Sequence, residues 1–153
     1  MRAVVQRAID ASVTVDGCAV GRIANGLIVY VGVALGDGPA DADYLADKVV
    51  NLRIFPDESG RMNRSLVDRY GDDPDTGLLA ISQFTLLADT RKGRRPSYNA
   101  AESPERAVVL FDRFVSEASR RVRVETGRFG EHMHVAYVND GPVTILVDSR
   151  REF

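Results

Sequence analysis

The chain has 153 residues, 44% apolar and 27% charged, with a formal net charge of −2 at pH 7, which is the size and balance of one globular domain spanning 1–153. No apolar run approaches the about 20 residues of a membrane-crossing helix, and Met1-Arg2-Ala3-Val4-Val5 lacks the long apolar stretch of an export signal, so a cytoplasmic protein with no membrane partner is expected. Cys18 is the sole cysteine and excludes an internal disulfide, while the weakly negative bulk charge leaves any nucleic-acid contact to a local basic patch.

The first third reads as β. Segments 3–8 and 11–15 are rich in β-branched residues, and Val13 and Val15 flank Thr14 as on a half-buried strand. Asp16-Gly17 predicts a tight turn, with Cys18 to Ile23 returning as a hairpin partner. Asn25-Gly26 reads as a second turn, and Leu27 to Ala34 as a central strand buried on both faces. After Gly36-Asp37-Gly38-Pro39, the spacing of Ala42, Leu45, Val49 and Leu52 predicts a helix over 39–51. The polar stretch from Pro56 to Gly77 reads mostly as loop, and Leu78 to Gln83 as another buried strand. Ser103-Pro104-Glu105 marks a helix start, with Ser as N-cap, Pro in the first turn and an acid beside it. Ala107, Leu110, Phe111, Phe114, Val115 and Ala118 form the apolar stripe of that helix. Segments 122–124, 132–138 and 143–147 close the chain as strands. The element order predicts an α+β fold with two principal helices and mainly antiparallel strands.

The conventional catalysts are sparse. His132 and His134 are the only histidines; they read as surface residues, with no obvious third ligand for a metal. Ser82-Gln83-Phe84-Thr85 ends a buried strand in polar groups. Three roles stay open for it: a hydroxyl nucleophile needing a base, backbone N–H donors for an oxyanion, or a plain strand-end turn. Arg91, Lys92, Arg94 and Arg95 put four cations within five residues, suited to phosphate oxygens or to a solvated loop. Asn139-Asp140-Gly141-Pro142-Val143-Thr144 reads as a hairpin turn or, because Gly141 lacks a Cβ, as a place where a ligand approaches backbone.

A set of segments in fixed order resembles the D-aminoacyl-tRNA deacylase family: Val5-Gln6-Arg7-Ala8, Asn51-Leu52-Arg53-Ile54-Phe55, Ser82-Gln83-Phe84-Thr85-Leu86, Lys92-Gly93-Arg94-Arg95-Pro96-Ser97, Glu125-Thr126-Gly127, Phe129-Gly130, Met133, and Asn139 to Ile145. The resemblance implies a compact, barrel-like α+β homodimer that cleaves the ester between a D-amino acid and the terminal ribose of tRNA, with no cofactor and no metal. Gly141-Pro142 matches the family's Gly-cisPro motif, which enters the partner subunit's site, holds the substrate's α-ammonium on its carbonyls and rejects L-substrates by crowding. Glycine escapes that rejection, so some glycyl-tRNA cleavage is implied. Ser82, Gln83, Phe84 and Thr85 match the motif beside the scissile ester. Backbone amides near Gln83 and Phe84 would hold the oxyanion and the substrate's free ribose hydroxyl would assist water, with Thr85 as nucleophile the second option. Phe84 and Met133 would pack around the terminal adenosine, and the basic loop 91–95 is expected near the acceptor stem. Two departures stand near the site: Glu131-His132 before Met133, and Tyr137 in place of a common leucine.

Overall fold

The computed structural model describes residues 1–152. Strands β1 (Arg2–Val15) and β2 (Cys18–Gly32) form a long antiparallel hairpin. Its turn is the expected Asp16-Gly17, with φ of 50° and 76°, the backbone that matches the right-handed twist of the flanking strands. Then come α1 (Pro39–Val50), the short strands β3 (Phe55–Pro56) and β4 (Met62–Arg64), α2 (Leu66–Asp72), β5 (Thr76–Ser82), α3 (Pro104–Ser119), β6 (Arg123–Thr126) and β7 (His134–Asp148). The main sheet has the order β6-β5-β2-β1-β7. β1 pairs antiparallel with β2 and β7, whereas β5 pairs parallel with β2 and β6. The parallel half is reached through α1 and α3, because parallel neighbours need a crossover rather than a tight turn.

The two long helices cover one face of the sheet. Leu45 and Val49 of α1 and Leu110 and Phe114 of α3 join Val5, Val29, Leu78 and Ala80 in one buried core. The alternate residues Ala8, Ile28, Leu79 and Ile81 build a smaller core on the other face, as the two-residue period of a strand requires. Among the described residues no helix contributes to that second core. The sheet curls over it instead: a Cβ on Gly127, just past β6, would lie 2.4 Å from the sulfur of Met133, just before β7. The two sheet edges thus meet by packing, which makes the fold barrel-like while its hydrogen-bond ladder stays open.

Several local expectations are corrected. Segments 3–8 and 11–15 are one strand, kinked where Asp10 takes a φ of 51° and the β1–β7 register shifts. Asn25-Gly26 is no turn; it lies inside β2, where Gly26 pairs with Gly77 of parallel β5 at a φ of 135°, so that a Cβ would fall 1.9 Å from the Gly77 carbonyl oxygen. The stretch from Pro56 to Gly77 is not mainly loop but holds the β3–β4 pair and α2. Helix α2 starts on a reciprocal cap: the Ser65 hydroxyl accepts from the Asp68 N–H at 3.1 Å, and the Asp68 carboxylate accepts from the Ser65 N–H at 2.8 Å. Ser103 does precede α3, with Pro104 in the first turn, yet its side chain makes no cap bond. Asn139 to Thr144 lies within β7, not between two strands.

Candidate active site

The site grows from the end of β5. Buried Leu78 to Ile81 carry the chain into Ser82, after which it turns into a short 3-10 helix, Phe84–Leu87. Three anchors hold that turn. The Gln83 N–H donates to the Val31 carbonyl at 2.8 Å, Leu87 is buried, and Gly32 leaves room, since a Cβ there would lie 2.5 Å from Leu87 Cδ2 and 2.9 Å from the Gln83 oxygen. The Gln83 N–H is therefore already engaged, whereas the N–H groups of Phe84 and Thr85 make no backbone hydrogen bond among the described residues. The Gln83 side-chain amide donates to the Thr85 hydroxyl, so that oxygen faces a donor where a nucleophile would need a base.

Beside this turn lies a cavity of about 590 Å³. Ser82, Gln83, Phe84 and Met133 line it; Thr85 does not. Phe84 is 58% exposed and meets Tyr98 edge-on at 5.0 Å between ring centres. Opposite them, Phe111 of α3 and Phe129 lie with ring centres 6.2 Å apart, and both line the cavity. Met133 packs against the bare Gly127, where a Cβ would lie 2.4 Å from its sulfur. His132 also lines the cavity; both histidines are exposed, outside any third-ligand cluster among the described residues, and their rings meet edge-to-face at 5.1 Å.

The basic loop flanks the rim. A neck of two backbone hydrogen bonds between Asp89 and Ser97, 2.8 and 2.9 Å, closes it next to Tyr98. Arg91 is folded back on Asp89 in a two-pronged pair at 2.9 and 2.7 Å, and that pairing holds the Asp89 carboxyl well below the usual carboxylate range. Lys92, Arg94 and Arg95 are exposed.

Gly141-Pro142 lies elsewhere. β1 pairs Ala8 with Asn139 and Gln6 with Thr144, so residues 140–143 bulge out opposite Arg7 alone. The Gly141-Pro142 bond is cis, and Gly141 has a φ of 119°. Arg7 supports the bulge from beneath: its Nε lies 2.6 Å from Asp140 Oδ2, near enough for an ion pair though not aligned as a hydrogen bond, and Nη1 donates to the Ile54 carbonyl at 2.9 Å. Both Gly141 and Pro142 are exposed, and neither lines this chain's own cavity.

Residue patterns alone missed Tyr98, Glu102 and Phe111 at the cavity and Gly32 beneath the turn. Phe111 was legible only as part of the helix stripe. It serves both core and cavity, which period cannot separate. Glu102 has no motif; only the tertiary pairing of Ala101 with Ala34 brings it in.

Fold and site together define a class: α+β proteins with an aromatic-walled cavity beside a strand-end turn whose Phe84 and Thr85 N–H groups make no backbone hydrogen bond among the described residues. The family model described as D-Tyr-tRNA(Tyr) deacylase matches residues 4–148. A D-aminoacyl-tRNA deacylase of Kosmotoga olearia is 55% identical over all of both chains, and one of Roseiflexus sp. is 57% identical over 97% of this chain and 94% of its own. Among solved structures, a c-Myc DNA unwinding element binding protein superposes with a TM-score of 0.88 at 36% identity, covering 97% of this chain and 98% of its own. The chain belongs to the D-aminoacyl-tRNA deacylase family.

Proposed function

We propose that this protein hydrolyses the ester of D-aminoacyl-tRNA to free D-amino acid and tRNA, and that it does so without a protein nucleophile, cofactor or metal. The observation that carries the reading is the Ser82 to Thr85 turn, which presents unengaged N–H groups at Phe84 and Thr85 beside an aromatic-walled cavity. Water attacks the ester carbonyl carbon, negative charge gathers on the carbonyl oxygen, and those amides stabilise it. The bond to the ribose oxygen then breaks and that oxygen takes a proton. The neighbouring ribose hydroxyl orients the water and relays its proton to the departing ribose oxygen, a task for which Thr85 is poorly placed because its oxygen accepts from Gln83. Because the Gln83 N–H is engaged with the Val31 carbonyl, the reading uses the amides of Phe84 and Thr85 as oxyanion donors instead of those of Gln83 and Phe84.

Chiral selection belongs to Gly141 and Pro142 of the partner subunit in a homodimer. Their carbonyls accept from the α-ammonium, and an L side chain would be driven into that backbone. The exposed bulge, absent from its own chain's cavity lining, suits such a reach. Glycyl-tRNA carries no side chain to reject and is a second substrate. Lys92, Arg94 and Arg95, with Arg91 held on Asp89, meet the phosphates of the acceptor stem, and the protein works in the cytoplasm. The rival reading is a dimeric tRNA-binding module without chemistry. Matched D- and L-aminoacyl-tRNAs decide between them: release from the D-ester alone supports the enzyme, whereas binding with both esters intact overturns it.

A further inference from the structure

We infer that Glu102 is a specificity-determining residue of the cavity, its carboxylate accepting a hydrogen bond from the exocyclic amine of the substrate's terminal adenine. This rests on the aminoacyl-tRNA reading above and names one interaction within it.

Backbone pairing sets the position. The Gln83 N–H donates to the Val31 carbonyl at 2.8 Å and the Glu102 N–H to the Val33 carbonyl at 3.0 Å. Carbonyls two residues apart on an extended strand point the same way, about 6.6 Å from each other. Glu102 therefore stands on the prolongation of β5, one such step beyond the turn that carries the ester platform. The antiparallel bridge between Ala34 and Ala101 keeps it there.

The chemistry of the side chain points the same way. Glu102 lines the cavity, yet its side chain is only 7% exposed. Oε1 accepts the Ser103 N–H at 2.9 Å, and Oε2 has Arg106 Nε at 3.4 Å, from an arginine that is itself 67% exposed. An ionised carboxylate has about four acceptor sites, so these two partners leave it short of donors, and a buried carboxylate in that state is costly. The start of α3 uses one of its oxygens and gives no reason to bury the rest. Lysine and arginine are absent from the cavity lining among the described residues, so phosphates are met outside, by the loop beyond Tyr98.

The walls complete the slot. Ala107, Phe111 and Phe129 make an apolar, partly aromatic enclosure beside Glu102, suited to a flat heteroaromatic base. An acceptor in such a slot favours a base with an exocyclic N–H donor and opposes one that presents a carbonyl oxygen there, because the carboxylate would face it unpaired. Adenine fits; hypoxanthine does not.

The test compares kcat/KM for a D-aminoacyl ester on tRNA ending in adenosine with that on tRNA ending in inosine. Wild type is expected to favour adenosine by about tenfold to a hundredfold, the range of a buried hydrogen bond to a charged group. Glu102→Ala should lose most of that preference, chiefly by slowing on adenosine. Retention of the full wild-type ratio in the folded variant overturns the inference. Should the alanine variant fail to fold, Glu102→Gln preserves an acceptor for the Ser103 N–H. A neutral acceptor is roughly half as strong, so its ratio should fall severalfold, and an unchanged ratio is equally fatal. Adenosine and inosine binding, followed by NMR titration of wild type and Glu102→Gln, reads the same hydrogen bond without turnover. Tighter adenosine binding that weakens in the variant supports Glu102 even where no ester is cleaved, an outcome that would sink the deacylase reading alone. Equal nucleoside affinities in wild type would sink the base recognition alone.

Discussion

Gly141 and Thr85 are the residues at which single atoms decide most. At Gly141 a Cβ would lie 2.8 Å from Val143 Cγ2 and 3.1 Å from Arg7 Nη2, on a backbone with φ of 119°. Gly141→Ala therefore adds strain of about 1–3 kcal/mol and pushes the bulge that the proposal places over the substrate's α-carbon. We expect at least tenfold lower turnover of D-aminoacyl-tRNA with a modest fall in melting temperature; wild-type turnover would refute the carbonyl grip. Thr85→Val tests the opposite claim. It removes the hydroxyl that accepts from Gln83, a loss of about 1 kcal/mol in stability, but no reacting group. Single-turnover rates should stay within about tenfold of wild type, and complete loss would restore the nucleophile mechanism.

Among the elements, the loop between Asp89 and Ser97 is the clearest case of sequence composition turned into geometry. Its two-bond neck holds three exposed cations out beside the cavity rim, while the fourth, Arg91, is folded onto Asp89. Alanine at Lys92, Arg94 and Arg95 should weaken tRNA binding and lower the slope of log affinity against log salt by about one for each phosphate left without its cation. Filter binding from low to high salt reads this directly, and an unchanged slope removes the loop from the interface. The hairpin β1–β2 carries a pH-dependent element. Burial first, and then its bond with Tyr137, raise the Tyr30 phenol above the ordinary tyrosine value. A phenol that ionises later in the folded than in the unfolded chain favours folding below about pH 10 and loses that contribution as pH climbs toward the folded value. Melting temperature should therefore fall with pH above about 10 in wild type and fall less steeply in Tyr30→Phe.

At the scale of the molecule, β7 is an edge strand fifteen residues long. Such an edge is an open template for pairing unless something covers it. Val138 and Leu146 on it are each 59% exposed, and Ile9, which faces Val138 across the β1–β7 pairing, is 41% exposed. Apolar side chains along an edge that also carries the Gly141-Pro142 bulge support a second copy as the cover. Sedimentation equilibrium should give twice the mass of one chain. Val138→Lys with Leu146→Lys should shift it toward the single chain and cut activity while the melt stays cooperative. A fully active monomer would contradict site sharing.

The Asp16-Gly17 turn with the strand segments beside it and the two long helices follow from short-range rules, because twist, period and capping are local. Asp16-Gly17 turned as its chemistry demands, and Ala42, Leu45 and Val49 were buried as their spacing implied. Where residues answered to distant partners, local signals misled. Asn25-Gly26 carries a turn signature but sits in a strand, since the glycine is needed where β2 pairs with Gly77 of β5. Asn139 to Thr144 carries another, yet it bulges from a strand because both of its flanks pair with β1 around Arg7. The same holds at the site. Ser82 to Thr85 and Gly141-Pro142 stood out as a site only through the family resemblance, since their residue chemistry reads equally as turns, whereas which N–H groups are unengaged, that the glycine lies outside its own cavity, and that Glu102 stands inside it were decided by tertiary pairing. The Gln83 and Glu102 positions depend on carbonyls of Val31 and Val33 that lie some fifty to seventy residues from their donors in the chain, and the Gly141 bulge depends on pairing with β1 still farther away, ranges over which no periodicity carries information.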